Sequence, residues 1–542
     1  MKQVSAVADA AIVGHLIGGE ICLDAERYQD VFNPSTGEAG GQVALASVET
    51  VEKAIAAAEA AYPEWRATPV AKRARVMFRF KQLIEEHADH ICELIGREHG
   101  KISHDAAGEL QRGIENVEFA CSAPEMLKGE HSRDVGPGVD SWSEFQPLGV
   151  VAGITPFNFP AMVPLWMYPM AIVCGNTFVL KPSERDPSSA LFIAGLLEEA
   201  GLPKGVINVV NGDKTAVDVL LRDQRVQAVS FVGSTPIARY IYATAAENGK
   251  RCQALGGAKN HAIVMPDADL DNAAASLTGA AFGSSGERCM ALSVAVCVGR
   301  ATHDAFIEKM KQAMNGLKVG VYSDRSNDFG PLITAEHKAR VVGYIDSAEA
   351  DGATVEVDGR NPDAGESGFF VGGTLISGVT PTMDSYRNEI FGPVLQVLCV
   401  ETMEQAMALI NAHEYGNGTC IFTRDGEAAR YFSDNILGVW LVSMCRCQSR
   451  SRTTVLAVGN NRCLETFLHT VRMPFVFTPG AKLLRSAGPQ RVCAKVSNFH
   501  FRASNRNLPA RQFQERRGYC LLPAAPFPDG RRRLSCQCGE AG

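Results

Sequence analysis

The sequence predicts an α/β protein built on doubly wound, mostly parallel sheets, with a helical region ahead of them. Three observations carry this. From Val150 onward, short apolar runs alternate with amphipathic segments, the pattern of parallel strands joined by crossover helices. A second alternation of the same kind runs from residue 271 to residue 434. Before both, residues 48–130 repeat their apolar positions at helical spacing.

The elements follow in chain order. Residues 18–45 predict short strands around Asn33-Pro34-Ser35-Thr36-Gly37-Glu38, which stacks turn-forming residues. Over residues 48–130, Val51, Ile55, Ala58 and Tyr62 mark one helical face, and Ile84, Ile91, Leu94 and Ile95 another. Residues 131–149 are polar and contain Gly and Pro, so an extended arm or hairpin is expected. Val150 to Ile154 predicts a buried strand, and Thr177 to Leu180 the next. Ser189 to Ala200 is a helix closed by Gly201. Val206 to Val210 and Ala228 to Val232 are strands, and Pro236 to Ala246 is a helix. The second alternation predicts helices at 271–285, 302–317, 334–350, 402–412 and 426–434, with strands at 292–298, 394–400 and 419–422. The chain is thereby organised as one α/β domain from residues 1–130 and 150–255, an arm at 131–149, a second α/β domain at 256–438, and a tail at 439–542.

Composition bounds the function classes. At 46% hydrophobic and 21% charged, the 542-residue chain is of globular type and long enough for more than one core. No apolar run reaches membrane-spanning length. The N-terminus has one early lysine and Asp9 but no apolar signal core, so a cytoplasmic location is expected. No CxxC pair occurs in the first 438 residues, which argues against a zinc framework; no metal site is expected, and the cysteines are expected to be reduced. The net charge of −7 conceals a split. Residues 439–542 hold 17 Lys+Arg against 4 Asp+Glu, while the first 438 residues hold 36 against 56. Fifteen of the tail's 17 basic residues are arginine, it holds 7 of the 16 cysteines, and it has no periodicity. These features point to an out-of-frame or disordered extension. A nucleic-acid-binding arm is the alternative, disfavoured because its aromatics and arginines form no docking motif.

Several motifs can carry chemistry. Gly286-Glu287-Arg288-Cys289-Met290 places a cysteine beside a cation, which favours the thiolate and hence a nucleophile. Taken alone, a buried structural cysteine is the stronger reading. Ile154-Thr155-Pro156-Phe157-Asn158-Phe159-Pro160 is a rigid loop after a buried strand; a held Asn158 amide can serve an oxyanion or simply a turn. Phe178-Val179-Leu180-Lys181-Pro182-Ser183-Glu184 ends a strand with groups able to reach a ribose or phosphate, or merely to pair in solvent. Phe231-Val232-Gly233-Ser234-Thr235 joins a strand to a helix, where a pyrophosphate can sit, although the full glycine fingerprint is absent. Glu389-Ile390-Phe391-Gly392-Pro393-Val394 offers an acid before a strand.

In order and spacing, these motifs resemble the aldehyde dehydrogenase superfamily, from about residue 17 to about residue 438. The resemblance implies a Rossmann-type NAD domain, an α/β catalytic domain, a bridging arm, and a dimer or tetramer. It implies Cys289 as nucleophile, with Asn158 and the Cys289 amide as oxyanion donors. It further implies NAD contacts from Thr155, Phe157, Lys181, Glu184, Arg185, Ser234, Gly256 and Glu389. Gln253-Ala254-Leu255-Gly256-Gly257-Ala258-Lys259-Asn260-His261 stands where hydrolytic members carry a glutamate base. That position is Ala254 or Leu255, and neither activates water. The segment resembles the acylating methylmalonate-semialdehyde dehydrogenase subfamily, in which coenzyme A resolves the thioester. Arg112 and Arg288 are then expected to hold the substrate carboxylate in guanidinium forks; Arg112 taken alone reads as a solvated helix-face charge. A hydrolytic enzyme is the second reading. A catalytically impaired remnant is the third, because the family's C-terminal strands are not recognisable after Gly438.

Overall fold

A computed structural model describes residues 11–438 except 24 and 366, and the backbone of 440–445, 454–457 and 502–503. Most of the basic tail, with the expectation that it is out of frame or disordered, lies outside the described residues.

The chain divides into two units. The smaller contains His131–Ser143, where His131–Gly136 and Val139–Trp142 form an antiparallel hairpin. The polar, Gly-containing stretch therefore adopts the expected extended form.

The larger unit contains two major sheets. The first has seven strands in the order Arg251–Leu255, Val226–Val232, Val150–Ile154, Thr177–Lys181, Ile207–Val209, His15–Ile17, Glu20–Cys22. The first five are parallel and the last two antiparallel. Val150–Ile154 and Thr177–Lys181 are buried at every residue, because helices cover both faces. The helices Val48–Ala67, Val70–Glu86, Ala88–His99 and Ser103–Cys121 account for the helical periodicity of the N-terminal region. Gly113 lets Ser103–Cys121 pack closely on Met162–Val173, since a Cβ there would crowd Leu165.

The second sheet has eight strands in the order Thr354–Val357, Thr374–Ser377, Val394–Val400, Leu292–Val298, Asn260–Val264, Gly418–Thr423, Trp440–Cys445, Thr454–Ala457. Only the two outermost strands pair antiparallel. Trp440–Cys445 pairs in parallel with Gly418–Thr423, so the sheet continues past Gly438, where the sequence resemblance was expected to stop.

The predicted strands at 292–298 and 394–400 match residue for residue. The expected helix 271–285 breaks early. Its regular part ends at Phe282, and Gly283–Gly286 is a separate tight turn. Arg251–Leu255 and Asn260–Val264 are strands where the sequence shows only a motif.

Candidate active site

The first sheet reverses its winding beside Val150–Ile154. From there the chain proceeds through Thr177–Lys181 and Ile207–Val209 on one side, then crosses to Val226–Val232 and Arg251–Leu255 on the other. Loops leaving the carboxyl ends of strands diverge at such a point and open a crevice. Thr155, Lys181, Ser234 and Gly256 all lie at these carboxyl ends. Thr155 is buried, and its hydroxyl has no hydrogen-bond partner among the described residues. Lys181 pairs with Glu184 at 2.7 Å. Burial alone would raise the Glu184 carboxyl, but the charge and hydrogen bond of Lys181 outweigh it and hold it below the usual value. Ser234 is the N-cap residue of Thr235–Glu247 and leaves the first amides of that helix without a side-chain cap. A Cβ at Gly256 would crowd Thr235, and one at Gly257 would strike the Glu389 carboxylate. The floor of the crevice is therefore bare backbone.

Phe157 stands on the wall of this loop cluster. Its ring meets Phe391 edge-on at 6.0 Å, lies 6.0 Å from His99, and carries the Arg185 guanidinium 5.6 Å from its centroid.

The cysteine arrives from the second sheet. After Phe282, Ser284, Ser285 and Gly286 take φ values of 52°, 56° and 72°. Two serines in this left-handed region cost roughly 1–3 kcal/mol each, a strain that persists only where the surroundings impose it. Ser285 Oγ donates to Gly330 O at 2.6 Å, and Ser284 N donates to Asp105 Oδ2 at 2.9 Å. At Gly286 a Cβ would overlap the Gly392 carbonyl. The turn delivers Cys289 at the amino end of Leu292–Val298, half-buried against the core cluster that contains Leu110, Phe159, Met162 and Leu165.

The Cys289 thiol is pushed up to about 11, by burial first and then by the charge of Glu389; the amides of Cys289 and Met290, and Arg112, act in the other direction. Arg288, the cysteine's sequence neighbour, is engaged with backbone carbonyls of the preceding turn and helix. Its Nε donates to Gly283 O at 2.7 Å and its Nη2 to Gly279 O at 3.2 Å, so it caps the end of Leu270–Phe282. The left-handed turn sends it that way, and Gly283 leaves the space, since a Cβ there would overlap its Nη2. Asp105 and Arg112 are the charges that bear on its guanidinium. Arg112 is exposed on Ser103–Cys121, and among the described residues its guanidinium makes no hydrogen bond.

Asn158 is 4% exposed and held from both ends. Its Nδ2 donates to Glu287 O at 3.0 Å, two residues before the cysteine. Its backbone carbonyl accepts from Lys101 Nζ at 2.7 Å. Lys101 pairs with Glu109 at 2.5 Å, and Glu109 Oε1 accepts from the amides of Ala161 and Met162, at 2.9 and 3.1 Å, at the start of Met162–Val173. A carboxylate there also complements the helix dipole.

Glu389 accepts from Ala258 N at 3.0 Å and is pushed up to about 7, chiefly by burial. The neighbouring Lys259 is buried, donates to Ser385 O at 2.7 Å and Asn388 O at 2.9 Å, and is pulled down to about 7 for the same reason.

These residues lie inside one recognised pattern: residues 23–446 match the model of the aldehyde dehydrogenase family. The chain belongs to the aldehyde dehydrogenase family. A malonate-semialdehyde dehydrogenase from Pseudomonas aeruginosa is 65% identical over 424 residues, which cover 78% of this chain and 85% of that one. A crystal structure of methylmalonate-semialdehyde dehydrogenase from Oceanimonas doudoroffii is 73% identical, with a TM-score of 0.78, covering 79% of this chain and 88% of that one. A Sinorhizobium meliloti protein assigned to the same activity, solved in complex with NAD, is 50% identical with a TM-score of 0.78, covering 80% of this chain and 88% of that one.

Within this aldehyde dehydrogenase fold, Ala254 and Leu255 end a strand paired with Phe231 and Val232. Ala254 is buried in an apolar cluster, so no proton acceptor occupies the position of the hydrolytic glutamate. Sequence reasoning gives no role to Glu287, His99 and His337. Glu287 is fully buried, accepts from Ile333 N at 3.2 Å, and lies 3.7 Å from His99 Nε2 and 3.4 Å from His337 Nε2. Burial pushes its carboxyl up to about 8. Glu287 stands in the cysteine's own pentapeptide, but its partners are remote in sequence and give no local signal.

Proposed function

We propose that this chain oxidises malonate semialdehyde and methylmalonate semialdehyde, with NAD as hydride acceptor and coenzyme A as acyl acceptor. The products are acetyl-CoA and propanoyl-CoA, with loss of CO2 or bicarbonate. The observation that carries this is a held cysteine and amide pair, Cys289 and Asn158, with apolar Ala254 and Leu255 at the two positions where a water-activating base would stand. The named activities of the Pseudomonas and Oceanimonas relatives support the same reading.

The residues present fit NAD. The free Thr155 hydroxyl and the uncapped amides after Ser234 are donors for phosphate. The bare backbone at Gly256 and Gly257 permits close approach. Lys181, Glu184 and Glu389 would take ribose hydroxyls, and the ionised Glu184 disfavours a 2′-phosphate. Phe157 and Arg185 line the wall. When bound, NAD supplies the acceptor for the aldehyde hydrogen.

The chain's own residues do the rest. The Cys289 thiolate adds to the aldehyde carbon, forming the C–S bond, and the oxyanion accepts from Asn158 and from the Cys289 amide. Departure of the aldehyde hydrogen leaves a thioester. Arg112 and Arg288 hold the β-carboxylate until it leaves as CO2 and the α-carbon takes a proton. The coenzyme A thiol then attacks the thioester carbonyl and releases Cys289. Water is disfavoured as the acyl acceptor, because neither Ala254 nor Leu255, where hydrolytic members carry a glutamate, can take its proton. This reading includes a cytoplasmic homo-oligomer. It also treats the tail beyond the matched residues as an extension foreign to the family, tested by sequencing the 3′ end of the transcript.

Identification of the acyl product by mass spectrometry tests the function. Acetyl-CoA equimolar with NADH is expected from malonate semialdehyde, and none from Cys289→Ala. Free acetate in place of acetyl-CoA would overturn it.

A further inference from the structure

The motif Gly257-Ala258-Lys259-Asn260-His261 marks a subfamily, yet thioester formation and thiolysis give Asn260 no part. Its geometry is specific. Asn260 is 2% exposed, and its Nδ2 donates to Cys289 O at 2.9 Å and to Ala291 O at 2.8 Å. Its Oδ1 accepts from Gly418 N at 2.8 Å. The adjoining Asn417 donates from its own Nδ2 to the same Cys289 O, at 3.0 Å. Two side-chain amides, one at the start of Asn260–Val264 and one just ahead of the neighbouring parallel strand Gly418–Thr423, thus converge on the carbonyl of the nucleophilic residue.

The trans peptide is planar, so its two polar ends move together. Holding the Cys289 carbonyl in one direction holds the Met290 N–H in the opposite one. The amides of Cys289 and Met290, together with Arg112, favour the ionised sulfur. Arg288, the obvious cation, donates instead to Gly283 O and Gly279 O.

We propose that Asn260 and Asn417 form a clamp that orients the Cys289–Met290 peptide so that its amide points at the nucleophilic sulfur. They are positioning residues: they touch neither substrate nor cofactor and act through one peptide plane. The proposal rests on Cys289 being the nucleophile, but the clamp is tested without any turnover.

The test is alkylation of Cys289 in the full-length protein by iodoacetamide, followed site-specifically by peptide mass spectrometry across pH 6 to 10. Asn417→Ala is the primary variant, because Asn417 is only half-buried and its loss leaves the Asn260 bonds intact. Asn260→Ala is the stronger one. A hydrogen bond that favours a charged group is worth enough to slow alkylation at neutral pH by about tenfold or more. Because pH 6 to 10 lies below the thiol's own value, the Asn417→Ala rate should fall by a similar factor at every pH in that range, while the thermal melt and NAD affinity hold. Asn417→Gln, which keeps a donor, should recover part of the loss. A profile of Asn417→Ala superimposable on the unmodified protein overturns the clamp, as does a loss in Asn417→Ala that Asn417→Gln does not reduce. Failure of the nucleophile assignment would look different: Cys289→Ala would retain turnover, whatever the alkylation profiles do.

Discussion

Replacing Arg112 by glutamine separates substrate recognition from folding. The guanidinium is exposed and makes no protein hydrogen bond among the described residues. Its loss should therefore change unfolding free energy by no more than about 0.5 kcal/mol, the usual range for such surface sites. Its proposed partner is the β-carboxylate of the semialdehyde. A charge-assisted hydrogen bond contributes roughly 1.5–3 kcal/mol, so kcat/KM for malonate semialdehyde should fall by roughly 10- to 150-fold. Propanal lacks the carboxylate, and its kcat/KM should change by less than about threefold on the same grounds. The same experiment on Arg288 should differ in one respect. Its bonds to Gly283 O and Gly279 O also cap Leu270–Phe282, so Arg288→Gln should lose stability as well as selectivity. The assay is NADH formation with each aldehyde at saturating coenzyme A, beside a thermal melt. Equal losses for the two aldehydes in Arg112→Gln would refute the carboxylate clamp.

Two pH dependences arise from buried carboxyls. Glu389 is held near 7, so it protonates as pH falls below neutrality and loses the negative charge with which it is proposed to accept from the NAD ribose. NAD affinity, measured by fluorescence titration, should weaken from pH 8 to pH 6, and Glu389→Gln should be weak and flat over that range. Glu287 is held near 8, above its unfolded value, so the folded state binds the extra proton in the window between those values. Stability should fall as pH rises through that window, by up to about 1.4 kcal/mol per pH unit from this group. Glu287→Gln keeps the acceptor for Ile333 N and removes the charge, so its advantage over the parent in urea unfolding should grow from pH 5 to pH 8. Parallel stability curves for the two proteins would sink that account.

Much of this is legible in the sequence, for identifiable reasons. Buried parallel strands read as continuous apolar runs, which is why Leu292–Val298 and Val394–Val400 are located to the residue. Arg251–Leu255 and Asn260–Val264 escape notice because a glycine pair and polar residues interrupt the run between them. Asn158 reads as a held amide between prolines, and it is held, although the hold comes from Glu287 O and Lys101. Arg288 misleads because adjacency in sequence is not adjacency in space. Positive φ at Ser284, Ser285 and Gly286 turns the chain just ahead of it, and no composition rule announces that at two serines. Lys259 and Asn260 stand in a recognisable motif without evident roles, because what they hold comes from residues 385–388 and 289–291.

The central claim is that coenzyme A, and not water, resolves the Cys289 thioester. NADH formation from malonate semialdehyde, followed at one enzyme concentration with and without coenzyme A, tests it most directly. The account predicts a burst of about one NADH per Cys289 followed by near arrest when coenzyme A is absent, as a nucleophile-trapping mechanism requires. Sustained turnover should return on its addition. Steady turnover at the same rate without coenzyme A would contradict it.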